Sequence, residues 1–477
     1  MKAKKTLVRL RNNLRLHDNE VLYKACQQST QVYPVFCIDP RWFEETTIGL
    51  PKTSPVRTQF LLEALQDLRN QLEEIGATLI VRQGKPEEVL PTLTTLLGAS
   101  SVYTSQEVTA EEVAVEEELE RKLLAKGISL ETIWDSTLYH LNDLPFPVNR
   151  LPDIFTEFRK AVEKNSQVRS TVPTIEQLSS VTDVSAGNIP TLQDLHPHTL
   201  PVQAHEPVLD FKGGEKAGLQ RLHNYIWKQD MLKKYKETRN GLLGANYSSK
   251  FSPWLSLGCL SPRKIYEEVK QYEKERVKNS STYWLIFELI WRDYFRFVAK
   301  KYGAKIFQFT GIKETELDLQ DHEGLFEKWT QGNTGIPFID ANMRELNETG
   351  FMSNRGRQNV ASFLVKDLKV NWVWGAMYFE AKLIDYDPCS NWGNWNYVAG
   401  VGNDPRENRY FNILSQAKRY DYQGEYVKHW IEALEEVPAN KVHTVGELTQ
   451  EEQRQYNVQL GVDYPNPLVD FERWLSK

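Results

Sequence analysis

The first 140 or so residues alternate short apolar runs with amphipathic stretches, which is the pattern of repeated βαβ units. Strands are predicted at Thr6 to Leu10, Val32 to Ile38, Ala77 to Val81, Ser101 to Thr104 and Ile128 to Trp134, and helices at Arg57 to Ile75, Pro86 to Leu97 and Glu111 to Lys126. Together they predict a mainly parallel, doubly wound sheet. No Gly-x-Gly-x-x-Gly follows the first strand, so nothing there marks a dinucleotide site. After a predicted helix from Pro152 to Lys164, the periodicity fades into a Ser, Thr, Pro and Gln-rich stretch, Asn165 to Pro207. Its length marks a surface connector. From Asp210 the pattern turns helical and aromatic. Helices are predicted from Glu215 to Lys234, from Tyr283 to Lys301, and along Leu364, Leu368, Trp372, Ala376, Phe379 and Leu383. The expected organisation is an α/β domain over 1–140, a connector over 141–209 and an all-α domain over 210–477.

Composition narrows the class. With 477 residues, 40% hydrophobic and 26% charged, the chain reads as globular with room for two or three domains. No apolar run approaches the ~20 residues a membrane span needs. The N-terminus runs into the first strand without a signal-peptide core. Cys26, Cys37, Cys259 and Cys389 follow neither disulfide nor zinc spacing, so a cytoplasmic protein without a metal is expected. A net charge of −6 argues against an indiscriminate polyanion binder, yet the basic residues of the second half allow a local positive face.

Chemistry concentrates in a few stretches. Asp385 to Gly400, DYDPCSNWGNWNYVAG, mixes turn formers with Trp392, Trp395 and Tyr397. It is expected to be an irregular loop, either a structural Trp corner or a grip on something flat and polar-edged, with Asp385, Asp387 and Asn391 supplying hydrogen bonds. Ser252 as N-cap and Pro253 as first helical residue would set Ser248, Ser249 and Lys250 just before a helix N-terminus, which on its own reads as a plain helix cap and is also a position where a phosphate can sit. Trp284, Glu288, Trp291, Phe295 and Val298 fall on one helical stripe. A carboxylate there is costly unless it serves a partner. Asn354, Arg357 and Gln358 share another face, with Arg357 placed for a bidentate pair with Asp385.

These residues carry a resemblance. Asp385-x-Asp387, Asn391, Trp395 and Tyr397, preceded by Asn354-Arg355-x-Arg357, resemble the flavin-binding core of the photolyase/cryptochrome family, and Glu288-x-x-Trp291-Arg292 matches its E-x-x-W-R. Tyr397 and Gln358, where cyclobutane dimer photolyases usually carry Trp and Met, resemble the DASH-type cryptochromes. The opening Arg11 to Asn19 is also similar, with Asn13 where Asp is usual and Arg9-Leu10 replacing Trp-Phe. The resemblance implies FAD held by Tyr235, Ser248, Ser249, Lys250, Phe251, Ser252, Trp284, Arg292, Asn354, Arg357, Asp385, Asp387 and Asn391, the last beside flavin N5. It implies that Glu288, Trp291, Gln358, Tyr397 and Arg406 face a flipped pyrimidine dimer, with Glu288, Trp291 and Asn391 catalytic.

Trp395 and then Trp372 would carry electrons to the flavin. Near Leu319 the family's third Trp is missing, so Trp329 or Trp374 would have to serve, or the route ends elsewhere. Glu107, and less strongly Glu111, would meet a folate antenna such as methenyltetrahydrofolate, against the plainer reading of an acidic helix start. The implied activity is blue-light repair of cyclobutane pyrimidine dimers, preferentially in single-stranded DNA, by a monomer. A light sensor acting on a partner or on transcription is the alternative, which the lack of a long tail makes less fitting as the sole role. A flavin oxidoreductase is a third, for which no hydride-donor residues are visible.

Overall fold

The computed structural model describes residues 4–180, 184–197, 207–406 and 409–475. Its first strand, β1 (Lys5–Leu10), is the centre of a five-stranded sheet with β2 (Gln31–Ile38), β3 (Ile80–Gln83), β4 (Ser101–Ser105) and β5 (Ser129–Ile133), in the order β3-β2-β1-β4-β5 and parallel throughout. Side chains alternate between two cores. Leu7, Tyr33, Val35, Ile80 and Val102 pack against α3 (Pro86–Leu97) and α4 (Ala110–Leu124), reached after α1 (Glu20–Gln28) and α2 (Pro55–Glu74). Val8, Val32, Phe36 and Val81 join apolar residues of α1 and α2 in the other core, which runs on into the helical half.

The predicted strands and helices of this part are present, with shifted ends. β3 starts three residues later than expected, because pairing begins only where Ile80 comes level with Val35. Helix α1 went unpredicted. Its Asn19 cap accepts from Leu22 N, but nine residues give too short a period to stand out.

After α5 (Phe155–Asn165) the connector follows the sheet edge. Ser179 and Ala186 carbonyls accept from Val32 and Val81, and the chain carries one short turn, α6 (Leu192–Leu195). Gly187, at φ +73°, lies so near that a Cβ would sit 2.3 Å from the Val81 carbonyl oxygen.

The helical half comprises α7 (Glu215–His223), α8 (Tyr235–Thr238), α9 (Ser252–Ser256), α10 (Pro262–Glu275), α11 (Ser280–Tyr302), α12 (Glu323–Gln331), α13 (Pro337–Thr349), α14 (Asn354–Ser362), α15 (Trp372–Lys382) and α16 (Pro388–Ala399), followed by short helices. Two single helices predicted here are broken. The one expected over 215–234 leaves α7 through a π turn, Asn224–Lys228, and reverses at Asp230, φ +55°. The one expected over 364–383 is a π turn, Phe363–Asp367, then a left-handed Lys369 and a new start at Trp372, where Asn371 caps Val373 N. Apolar spacing continued across both breaks and hid them.

The two halves are pinned through buried polar contacts. Asp293 on α11 accepts from Leu138 N at 2.9 Å and Tyr139 N at 2.8 Å, and burial pushes its carboxyl up to about 7. Arg263 on α10 donates to Asp18 at 2.6 Å, and the ring of His17 meets Glu215 at 2.5 Å. The motif after β1 therefore binds the domains together, and His17 is a structural residue.

Candidate functional site

The stretch from 388 to 399 is a helix, not the irregular loop expected. Asp387 accepts from Ser390 N at 2.7 Å, Pro388 fills the first turn and Gly400, at φ +92°, ends it. The turn formers were caps, and the inner glycine serves packing. A Cβ on Gly393 would sit 2.3 Å from the Phe295 ring.

Helix α16 thereby turns Ser390, Asn391, Asn394, Trp395 and Val398 to one side. With Asn354, Arg357, Gln358 and Ala361 of α14, Phe379 of α15, Leu383, and Asp385 to Asp387, they wall a cleft with about 580 Å³ of atom-free space. Arg357 Nη2 donates to Asp385 Oδ2 at 2.8 Å, so the expected pair exists. It is not bidentate, because Nε is committed to the Met352 carbonyl at 2.9 Å. Asp385 Oδ1 is buried with no hydrogen-bond partner, and so is Gln358 Oε1. A buried acceptor left bare costs about 1–3 kcal/mol. A flat ligand with an N–H edge would satisfy both, and an isoalloxazine ring fits that description. Asn391 Nδ2 donates to the Ala376 carbonyl at 3.0 Å, which fixes its amide at the cleft wall.

The second region is the turn at 245–251. Arg221 on α7, missed from sequence because it looked like a surface arginine, is buried and donates to the carbonyls of Ala245, Ser248 and Ser249 and to Asn246 Oδ1. Ser252 is the first residue of α9 and not its cap. Phe251 holds the cap position with helical backbone angles and no side-chain bond. Lys250 sits at φ +54°, its Nζ on the Gly244 and Ala245 carbonyls at 3.1 and 3.2 Å and over the Tyr247 ring. Burial drives its ammonium pKa down to about 6. Lys250 and Arg357 flank the same Phe351 ring, at 5.9 and 5.8 Å, which brings this turn to the cleft. Tyr235 is buried nearby, its hydroxyl beside Ser249, and burial raises its pKa well above the ordinary value.

The third region is the outward stripe of α11. Glu288 takes Arg239 Nη1 at 2.6 Å and Trp284 Nε1 at 3.0 Å. Burial raises its pKa, against the pull of Arg239. Trp291 stacks on Phe155 at 3.6 Å and meets Tyr397 edge-on at 5.8 Å. Arg409 lies over Tyr397, and Arg355, over Tyr420, bonds Asn240. Burial first, and then Arg239, Arg419 and Arg409, depress the pKa of Arg355. Four guanidinium groups therefore crowd this mouth in an acidic chain. Arg406 is exposed beside Asp404. Arg292 instead donates to the Ser136 carbonyl at 2.5 Å, and neither it nor Trp284 lines the cleft. Arg239 and Phe155 escaped sequence reading because their partners lie 49 and 136 positions away in a chain read without contacts.

Trp395 lines the cleft and meets Trp329 at 6.3 Å, while Trp372 meets Trp392 at 5.9 Å. Glu107 is buried and bonded to Arg296 at 2.5 Å. It lines a separate groove of about 1060 Å³ of atom-free space with Glu116, Glu117, Glu120 and Lys300. Glu111 is exposed and paired with Lys52 at 2.6 Å.

Comparison with known proteins supplies the family. Residues 6–177 match the family described as DNA photolyase, and residues 284–476 the FAD binding domain of DNA photolyase. An α/β domain joined to a helical FAD-binding domain is thus the class. At finer grain, the chain is 51% identical over 468 residues to a cryptochrome DASH of Synechocystis sp., covering 98% of this chain and 95% of that one. It is 50% identical over 470 residues to a cryptochrome DASH of Gloeobacter violaceus, covering 98% and 94%. A solved Synechocystis cryptochrome superposes with a TM-score of 0.96 at 50% identity, covering 100% of this chain and 99% of that one. The chain belongs to the photolyase/cryptochrome family, among the DASH cryptochromes. Among the described residues no helix is long and apolar enough to cross a membrane.

Proposed function

We propose that this protein repairs cyclobutane pyrimidine dimers in DNA under blue light, with FAD in the cleft between α14 and α16. The observation that carries this reading is Asp385, a buried carboxylate tied to Arg357 through one oxygen and bare at the other, on the wall of that cleft. Asp385 and Arg357 would hold the ring's polar edge, with Asn354, Asp387 and Asn391 beside it. Ser248, Ser249, Lys250 and Ser252, backed by Phe251 and Tyr235, would hold the phosphates. When bound, FAD in its reduced form supplies a photoexcited electron to the dimer and takes it back once the ring has split. The protein's own share is to orient, to keep water out and to receive the base. Glu288 and Trp291 would meet the flipped dimer opposite Gln358 and Tyr397. The arginines at the mouth, with Arg406 outside it, would take DNA phosphates. Light-dependent loss of dimers from an oligonucleotide, with purified protein and added FAD, tests the reading. No repair in the light ends it.

Two further expectations follow from the same residues. Lys250 has a pKa of about 6 in the free protein, so it is largely neutral at pH 7.5. Holding a phosphate requires the ammonium and raises that pKa, so FAD binding takes up a proton, and affinity falls as pH climbs from 6 towards 9. Calorimetry in buffers of different ionisation enthalpy measures this uptake, which Lys250→Met should abolish. Second, Tyr397 and Gln358 offer a dimer less apolar stacking than Trp and Met. Flipping a base from a duplex costs a few kcal/mol, so single strands should be repaired faster than duplexes. Equal rates on matched substrates would refute that preference.

We assign the groove beside Glu107 to a folate-type antenna. The carboxylates of Glu107 and Glu116 suit a pterin's amino and N–H edge, and Lys300 suits the folate's anionic tail. A near-ultraviolet band that appears on adding methenyltetrahydrofolate, and is lost in Glu107→Ala, checks this.

A further inference from the structure

The basic mouth continues outward along helix α17 (Ile413–Tyr420) to a tyrosine that neither the cleft nor the α11 stripe uses. The contacts form an unbroken series. Glu288 holds Arg239, and the next residue, Asn240, accepts from Arg355 Nη2 at 3.0 Å. Arg355 Nη1 donates to Gln416 Oε1 of α17 at 3.4 Å, and its guanidinium lies 4.6 Å from the centre of the Tyr420 ring. Arg419 lies over the same ring at 5.4 Å. Two positions after Tyr420 comes Tyr422, 70% exposed and the one aromatic side chain among the described residues that is left mostly in water.

Tyr422 differs from an ordinary surface tyrosine in its backbone and in its surroundings. The Asp421 carboxylate accepts from Tyr426 N and Val427 N, at 2.9 and 3.1 Å, in helix α18 (Glu425–Trp430). The Asp421 carbonyl accepts from Gly424 N at 2.9 Å and from the buried His443 ring at 2.5 Å. Gly424, at φ +70°, closes this turn so near Val442 that a Cβ would sit 2.5 Å from it. A ring on so firm a turn loses little freedom when something stacks on it. Around it the charge is positive and uncompensated. Lys418 and Arg419 are exposed, and among the described residues neither they nor Arg355 has a carboxylate partner. The Nε–H of Arg355 is buried with no acceptor. Cations that track a sugar-phosphate chain, beside a ring on which a base can stack, are how single-stranded nucleic acid is gripped. A membrane surface would call for further apolar side chains here, and the exposed neighbours are Gln423 and Glu425.

We infer that Arg355, Lys418, Arg419 and Tyr422 form a landing strip for the single strand of DNA that runs out of the dimer pocket. Lys418 and Arg419 take its phosphates, and Tyr422 stacks on one undamaged base to one side of the lesion. The inference rests on the repair reading above and adds to it a contact outside the dimer. In a duplex that base is already paired and stacked on its neighbours, so the strip favours single strands independently of the lining of the pocket.

The test titrates FAD-loaded protein, in the dark, with fluorescently labelled single strands that carry a dimer. One strand is long on both sides of the lesion, and the other is cut to the dimer and its flanking phosphates. Tyr422→Ala should bind the long strand about 5- to 150-fold more weakly than wild type, the loss of one base stack, and the short strand equally well. Tyr422→Trp should bind the long strand at least as tightly as wild type. Under light, Tyr422→Ala should raise KM for the long strand and leave kcat alone. A 2-aminopurine base on one side of the dimer should be quenched by wild type and not by Tyr422→Ala, with FAD content and melting temperature unchanged. Equal affinity of both proteins for the long strand, an equal loss on long and short strands, or quenching that survives Tyr422→Ala overturns the strip. An undamaged long strand separates this inference from the reading beneath it. If that strand binds through Tyr422 and no dimer is repaired, the repair reading falls and the strip stands. If dimers are repaired with no dependence on Tyr422, the strip alone falls.

Discussion

Glu288→Ala is expected to lower dimer repair by about 10- to 100-fold while leaving FAD content unchanged. A hydrogen bond to a charged group is worth about 1.5–3 kcal/mol, which is that range of rate. The carboxylate is preorganised, with Arg239 at 2.6 Å and Trp284 at 3.0 Å holding it before substrate arrives. Glu288→Gln should lose less, because the amide oxygen can still accept from a base N–H, though the pull of Arg239 weakens. The check is a comparison of repair rate per bound flavin for both variants and wild type, under one light dose. Repair in Glu288→Ala equal to wild type would remove Glu288 from the substrate pocket.

Asp385→Ala is expected to yield protein that is purified colourless. Removing one member of a buried ion pair costs about 3–5 kcal/mol. Here the loss falls chiefly on the cofactor, whose N–H edge would lose its acceptor, and it corresponds to roughly 150- to 4,000-fold weaker FAD binding. Arg357 is partly exposed, so water can cover it, and the fold should survive with a modest drop in melting temperature. Titration of apoprotein with FAD, followed by quenching of flavin fluorescence, measures the shift. Asp385→Asn separates shape from charge. It fits the same space but offers Arg357 a neutral oxygen, and should fall between wild type and Asp385→Ala. Unchanged FAD affinity in both variants would break the assignment of the cleft.

The α/β half was legible because a parallel sheet demands near-continuous apolar strands separated by amphipathic helices, and Val32 to Ile38 or Pro86 to Leu97 show that plainly. The pairing of Arg357 with Asp385 was legible from helical spacing and charge. What stayed hidden is long-range or local-geometric. Asp387, Pro388 and Gly400 read as a loop because the residues that cap a helix also build turns. The left-handed Lys369 gave no warning, since lysine seldom adopts that backbone. Arg221, Arg239 and Phe155 carry no motif, and their importance lies in partners far along the chain.

One helix touches both the dimer pocket and the antenna groove proposed above. Helix α11 presents Trp291 towards Tyr397 of α16, and Lys300, nine positions on, to the groove of Glu107. At about 1.5 Å per residue, these two points lie roughly 14 Å apart along a single rod. The groove is otherwise walled mainly by the α/β half, from Gln106 to Thr132, so a ligand in each of these two sites would share this helix but rest on different halves. Their separation would then be set jointly by this rod and by the buried contacts of Asp293, Arg263 and Arg296 that fasten the halves.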